Sequence, residues 1–335
     1  MSTTPTMPAP SVLPALNITD KTVAINLTIG RPGNSKKVSK SQISEKTENS
    51  TVTQDAAVEV DADKDLVGVS KKLLKSKELQ AIVKHDGESA EWVKARSVPS
   101  MFKKGIHLVK IEAVQQIEDY LLEAQRVRKD ILIPAFLAVY DQQRAEAEQH
   151  LRGIYDASDY PPRGVVAASF VFEWAYITFA TPGKLKEISA DFFEREKAKA
   201  AEKWTQATEQ AKILLRVQMK DLVDHLVERM TPGDDGKRKI FKKTTVSNIS
   251  EFLANFSLRN VTDDAEMDFL VGQAKKLLDG VDPEQLRKSE VDAECLQKGF
   301  ATVKTFLDQM VEDAGSRKIV FDQTEEEEEE VNPFA

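Results

Sequence analysis

Four histidines, one cysteine and one glycine-bearing turn are the residues of this chain with the shortest route to chemistry. Metal ligation needs His, Cys or carboxylate donors at helical or hairpin spacing. His85, His107, His150 and His225 are scattered, no two of them stand at ligand spacing, and Cys295 has no neighbouring thiol. His225 lies four residues after Asp221, so a carboxylate–imidazole contact fits one helix face, and a surface pair is the expected outcome. Cys295 precedes Leu296 in an apolar helical stripe with no histidine nearby, which predicts a buried structural thiol rather than a nucleophile. Gly30-Arg31-Pro32-Gly33-Asn34-Ser35-Lys36-Lys37 follows an alternating segment, where a phosphate loop would sit. A P-loop needs Gly-Lys-Ser/Thr together, so that amides, ammonium and hydroxyl converge. Here Gly33 stands three residues before Lys36, and an ordinary turn is expected. No catalytic, cofactor-binding or metal-ligating residue is assigned, and the chain is read as non-enzymatic.

Binding leaves clearer traces than catalysis. Phe170, Phe172, Trp174 and Tyr176 alternate along an apolar stretch, the pattern of a strand. They are either core beneath the end of a helical hairpin or exposed anchors for a partner, and burial depends on what packs there. The second trace is the C-terminal run Glu325, Glu326, Glu327, Glu328, Glu329 and Glu330, followed by Val331-Asn332-Pro333-Phe334-Ala335. Like charges keep such a run from folding alone. An acidic run ending in Pro-Phe is similar to the tails of bacterial and phage single-stranded-DNA-binding proteins. In that reading the glutamates steer the tail to a positive patch and Phe334 anchors it. Ala335 departs from the pattern by displacing the free carboxylate from the ring. The body lacks a basic groove with interleaved stacking aromatics, so the tail is expected to bind protein and not DNA. A purely solubilising tail is the competing reading.

The elements that must carry these residues are mostly helical. The chain has 335 residues, is 41% hydrophobic and 30% charged, and carries a net charge of −8. From Glu312 onward nine acidic and two basic residues give −7, which leaves the body near −1. The acidity therefore sits in the tail, and direct nucleic-acid binding by the body is not expected. No apolar run is long enough for a membrane span, residues 1–10 lack a secretory pattern, and one cysteine suits a reducing compartment; a cytoplasmic location without membrane association is the expectation.

Residues 1–17 read as a disordered leader, and 18–31 as a strand segment in which Val23, Ile25, Leu27 and Ile29 alternate with polar neighbours. Residues 32–65 are polar, without a single aromatic, and read as a disordered linker. A helical domain is expected over 66–313 and a disordered acidic tail over 314–335. Within the domain, 66–96 read as short helices broken at Asp86-Gly87. Two long helical stretches then run from Ile106 to Arg152 and from Leu185 to Met230, with Pro134 dividing or kinking the first near Ile133. The second carries Trp204, Ala207, Ala211, Leu215, Met219, Leu222, Leu226 and Met230 as its apolar face. Paired antiparallel, they make a coiled-coil-like hairpin on the order of 60 Å long at ~1.5 Å per residue, and 23–29 is expected to pair with 170–179 as a small β element. A C-terminal helical bundle follows, with a capping box at Asp263 and Glu266, an end at Gly280, and a further start at Asp282-Pro283.

Residues 70–313 resemble one known family. The carrying stretches are Lys71-Lys72-Leu73-Leu74-Lys75-Ser76-Lys77-Glu78-Leu79, Ser97-Val98-Pro99-Ser100 with Gly105-Ile106, Leu258-Arg259-Asn260-Val261-Thr262-Asp263-Asp264, and Leu277-Leu278-Asp279-Gly280-Val281-Asp282-Pro283. They are similar to the bacterial and phage domain of unknown function family 3150. The resemblance implies a helical, cytoplasmic protein of phage or bacterial type, and it transfers no catalytic residue. It also implies an AAA+ ATPase as a partner, because members are encoded beside such genes. The combined expectation is a mainly α, elongated structural or adaptor protein of a multiprotein complex, with room for a homo-oligomer. The alternative is an accessory protein in single-stranded nucleic-acid transactions, acting through its acidic tail.

Overall fold

Alternation of apolar and polar residues builds β1, Thr22–Gly30, entered through the short helix α1, Ile18–Lys21. The structure, a computed structural model, describes residues 18–38, 70–231, 243–281 and 289–313. It is mainly helical with a small antiparallel sheet. The leader, residues 39–65 of the linker, the Asp282-Pro283 start and the whole tail with Glu325–Glu330 and Phe334 lie outside the described residues. Two further strands, β2 (Ser35–Lys37) and β3 (Ser70–Lys72), pair with each other. Then come β4 (Val98–Pro99), β5 (Ile106–Lys110) and β6 (Val171–Ile177). The main sheet has the order β4-β5-β1-β6, antiparallel throughout.

β1 is thus an inner strand. Ile25 lies opposite His107 of β5 and Tyr176 of β6, and Leu27 lies opposite Trp174. The pairing expected between 23–29 and the aromatic stretch is found. The strand is not a separate segment: it supplies the middle of the sheet. Ile106–Lys110, expected to open the first long helix, instead forms β5, because Ile106, Leu108 and Val109 are buried against β1 and its neighbours. The linker expectation also yields at its start. Asn34 clamps Leu74, its side-chain amide donating to the Leu74 carbonyl at 2.9 Å and its oxygen accepting from the Leu74 amide at 2.7 Å.

Helices cover one face of this sheet. Helix α2 spans Lys77–Lys94, with Ser76 as N-cap accepting from the Leu79 amide at 3.0 Å. Helix α3 spans Ile111–Val127, and its residues Ala113, Ile117, Leu121 and Ala124 recur at steps of four and three. They pack in one core with Ile25, Val93, Val109 and Phe172. Burying a side chain such as Leu121 completely stabilises by about 1.5–3 kcal/mol. A π turn, Arg128–Leu132, joins α3 to α4, Ile133–Leu151. Pro134 explains it: proline has no N–H and its ring crowds the carbonyl four residues earlier, so the turn just ahead widens and Ile133 donates back to Arg128. The division expected near Ile133 is therefore present. Helix α5, Arg163–Ala168, closes a second core of Leu73, Leu74, Ile82, Phe136, Tyr140 and Val166.

The break expected at Asp86-Gly87 is absent, and α2 runs through it. Asp86 is 1% exposed and ion-paired with Arg128, itself 2% exposed, at 2.7 Å, so a residue that favours caps and turns is fixed inside a helix. Ser89 donates its hydroxyl to the His85 carbonyl within the continuous helix.

The chain divides into two compact units. One takes its described residues from Val12–Ala211 and Asn255–Asp263, the other from Lys212–Ala254 and Asp264–Ala335. The remaining helices are α6 (Leu185–Ile188), α7 (Ala190–Met230), α8 (Lys243–Arg259), α9 (Ala265–Leu278) and α10 (Glu290–Asp313). In the second unit α9 packs on α10, and the core holds Leu215, Met219, Val223, Leu226, Met267, Leu270, Phe300 and Leu307. Val223, four residues after Met219, takes the buried position expected for Leu222, which is half-buried.

The cap of α9 is Asp264 rather than Asp263; its carboxylate accepts from the Met267 amide at 3.2 Å. Asp263 adopts φ 50° and pairs with Lys21 and Lys110. Gly280, at φ 71°, ends that helix as expected. Cys295 is exposed, which corrects the expectation of a buried thiol: one residue of helical rotation separates it from buried Leu296.

Candidate protein interface at β6

The aromatic residues of β6 divide by burial. Phe172 is 6% exposed and belongs to the core, and Phe170 packs on Phe136 with ring centroids 5.9 Å apart. Both act as core and not as surface anchors. Trp174 is half-buried, and Tyr176 is the exposed member at 38%. Glu118 of α3 holds the last two in place: Trp174 Nε1 donates to its carboxylate at 2.7 Å and the Tyr176 hydroxyl donates at 3.0 Å. Burial pushes the Tyr176 phenol up, and the bond to Glu118 adds to this. On the other face of the strand Glu173 and Ala175 are exposed.

Backbone geometry gives β6 its second feature. It is the last strand of the sheet, and among the described residues it pairs on one side only. Its seven residues, VFEWAYI, contain no proline and no lysine, the usual means of blunting an exposed edge. The opposite edge strand, β4, is two residues long and contains Pro99. Gln125 Nε2 donates to the Phe172 carbonyl at 2.7 Å; apart from that bond, β6 is where the structure brings a strand edge without a described partner strand together with exposed side chains.

Two of the groups with catalytic potential meet in the structure. Ser97 and His107 come together, Oγ and Nδ1 being 3.1 Å apart, a pairing that their ten-residue separation did not advertise. Ser97 is fully buried and donates its single proton to the Val93 carbonyl at 2.7 Å, so it faces the ring as an acceptor. Burial pushes the His107 imidazole below its ordinary 6.5, and Lys94 and Arg259 push the same way. Arg259, lowered by burial to about 10, donates to the Ser97 carbonyl at 3.2 Å.

The linkage sign follows from that depressed value. The unfolded imidazole gains a proton near pH 6.5 while the folded one resists it, so this contribution is present above pH 6.5 and lost as pH falls through the folded value. Denaturant melts taken from neutral pH down to about 5 are expected to show falling stability in the wild type and a flatter slope in His107→Gln. An identical slope in both proteins would remove His107 from the acid limb.

His225 accepts from Arg229 Nε at 3.3 Å rather than meeting Asp221, and His150 Nδ1 lies 2.7 Å from the Glu146 carbonyl. The turn after β1 serves Asp86: Arg31 lies 3.5 Å from its carboxylate, and the Gly30 carbonyl accepts from Arg128 at 2.7 Å. Among the described residues no group of three or more His, Cys, Asp or Glu is placed to hold a metal.

One open cleft of about 340 Å³ lies at the end of β6, lined by Thr22, Ala24, Ile177, Phe179, Lys197 and Trp204. Trp204 and Phe179 form its aromatic wall, and Phe102 packs on both, stacked on Phe179 at 4.6 Å. Sequence periodicity placed Trp204 on the α7 core face; Phe179 lies two residues past the end of β6, and Phe102 comes from a loop that carries no periodic signal.

Among the described residues no helix is long and apolar enough to cross a membrane. Comparison with known proteins finds no matching family model, no matching curated protein and no matching solved structure.

Proposed function

We propose that this protein is a non-enzymatic structural or adaptor component that assembles by accepting another polypeptide strand at β6. The observation that carries the reading is the edge of Val171–Ile177, which among the described residues pairs with β1 alone: seven residues, half of whose backbone groups face away from β1, with no proline or lysine, Glu173 as the single charged side chain, and one carbonyl, that of Phe172, already accepting from Gln125. A strand added there gains main-chain hydrogen bonds, and the alternating side chains supply selectivity. The engagement of Ser97, His107 and the Asp86–Arg128 pair in holding elements together is consistent with a scaffold.

The finer architecture belongs to the same proposal: the two long stretches as an elongated antiparallel hairpin, followed by a C-terminal helical bundle. The 41 residues of α7 would supply reach. So does the setting implied by the family resemblance, a phage or bacterial complex that includes an AAA+ ATPase, which rests on the quoted sequence stretches.

The test is a photoreactive residue placed at Ala175 in the native cell, with Glu148, exposed on α4, as control. Discrete protein adducts from position 175 and not from 148 are expected. No protein adduct from position 175 would overturn the proposal.

A further inference from the structure

The β6 edge can be matched against itself, and the match selects one register. In an antiparallel pair, residues directly opposite one another both point their amide and carbonyl toward the partner strand or both point them away. Opposed residues across a two-fold axis must therefore share parity, so the axis passes through a residue. Three central choices exist for Val171–Ile177. An axis at Glu173 sets two exposed carboxylates face to face, which is unfavourable. An axis at Ala175 leaves Val171 and Phe172 without counterparts. An axis at Trp174 pairs all seven residues and sets Glu173 opposite the Ala175 of the second copy.

The side chains fit that third register. Trp174 meets Trp174 at the axis, and Phe172 lies opposite Tyr176, so the α3 side carries aromatic cross-strand pairs. The two exposed positions on the other side, Glu173 and Ala175, combine a charge with a small neutral residue and not with a like charge. Both copies would present the same patch, as two-fold assemblies require, and two four-stranded sheets would become one continuous sheet.

We propose that β6 is a self-association strand: two copies of this chain pair antiparallel through Val171–Ile177 about an axis at Trp174. The inference rests on the adaptor reading of the β6 edge and goes beyond it by naming a second copy as the occupant.

Light scattering on the full chain across a dilution series tests it, with circular dichroism as the folding control. The wild type is expected at twice the chain mass, dissociating on dilution. Ala175→Glu puts two carboxylates opposite the Glu173 residues and should shift the dissociation midpoint at least about tenfold toward higher concentration. Adding Glu173→Lys to that variant restores an opposite-charge pair and should return the midpoint to within about threefold of wild type. Position 175 is exposed, so the variants should fold as the wild type does. A wild type of single-chain mass at every concentration overturns the proposal, as does a dimer indifferent to both substitutions. Single-chain mass together with a different protein cross-linked at position 175 would overturn self-pairing and leave the adaptor reading standing.

Discussion

Replacing Asp86 by leucine is expected to destabilise the sheet-bearing unit by about 3–5 kcal/mol, the range for removing one partner of a buried ion pair. The cause is what remains. Arg128 is 2% exposed, and without Asp86 it keeps only the Gly30 carbonyl and the rings of Phe170 and Phe172, whose centroids lie 5.4 and 5.6 Å from its guanidinium carbon. For a unit of this size the midpoint of thermal unfolding should drop by roughly 6–20 °C. Arg128→Met should cost less, because Arg31 already stands 3.5 Å from the Asp86 carboxylate and is exposed enough to move closer. The double replacement should be milder than the sum of the two, since no buried charge is then left unpaired. Thermal melts of all three variants check this; additive losses would show that Asp86 and Arg128 do not act as a pair.

The second unit has an equivalent hub, and Arg216→Met should cost a similar amount, about 3–5 kcal/mol. Arg216 donates to Asp264 at 2.7 and 3.0 Å, to Glu266 at 2.7 Å and to the Met310 carbonyl at 3.3 Å. Burial works against its charge, but the two carboxylates outweigh that and hold its pKa above the ordinary guanidinium value. Asp264 is also the α9 N-cap and is 6% exposed, so losing Arg216 removes a bidentate partner from a buried cap carboxylate. Amide exchange across Ala265–Leu278 should rise more than across Lys77–Lys94. Equal protection in α9 of both proteins would mean that the cap stands without its arginine.

Legibility in the sequence followed the range of the interaction. β1 and β6 were visible because alternation is local, and the division of the first long stretch was visible because a proline acts on its own turn. The α2 continuity was not, since the partner that keeps Asp86 in a helix stands 42 residues away. Polar Ser35–Lys37 gave no strand signal because its pairing partner, Ser70–Lys72, is just as polar. The exposure of Cys295 and the burial of Val223 turn on about one residue of helical phase, which apolar stripes define only loosely. At the candidate interface sequence identified the aromatic stretch, but it could not divide Phe170 and Phe172, which are core, from Tyr176, which is not; that division depends on α3 and Phe136 arriving from elsewhere.

The central claim is that the outer edge of β6 is paired by a second copy of this chain. Residue-resolved amide exchange of Val171–Ile177 tests it most directly. A strand bonded on one side protects every second amide, and a strand bonded on both sides protects them all. Protection of consecutive β6 amides at high protein concentration, decaying to alternate protection on dilution, is the predicted result. Alternate protection at every concentration would contradict the account.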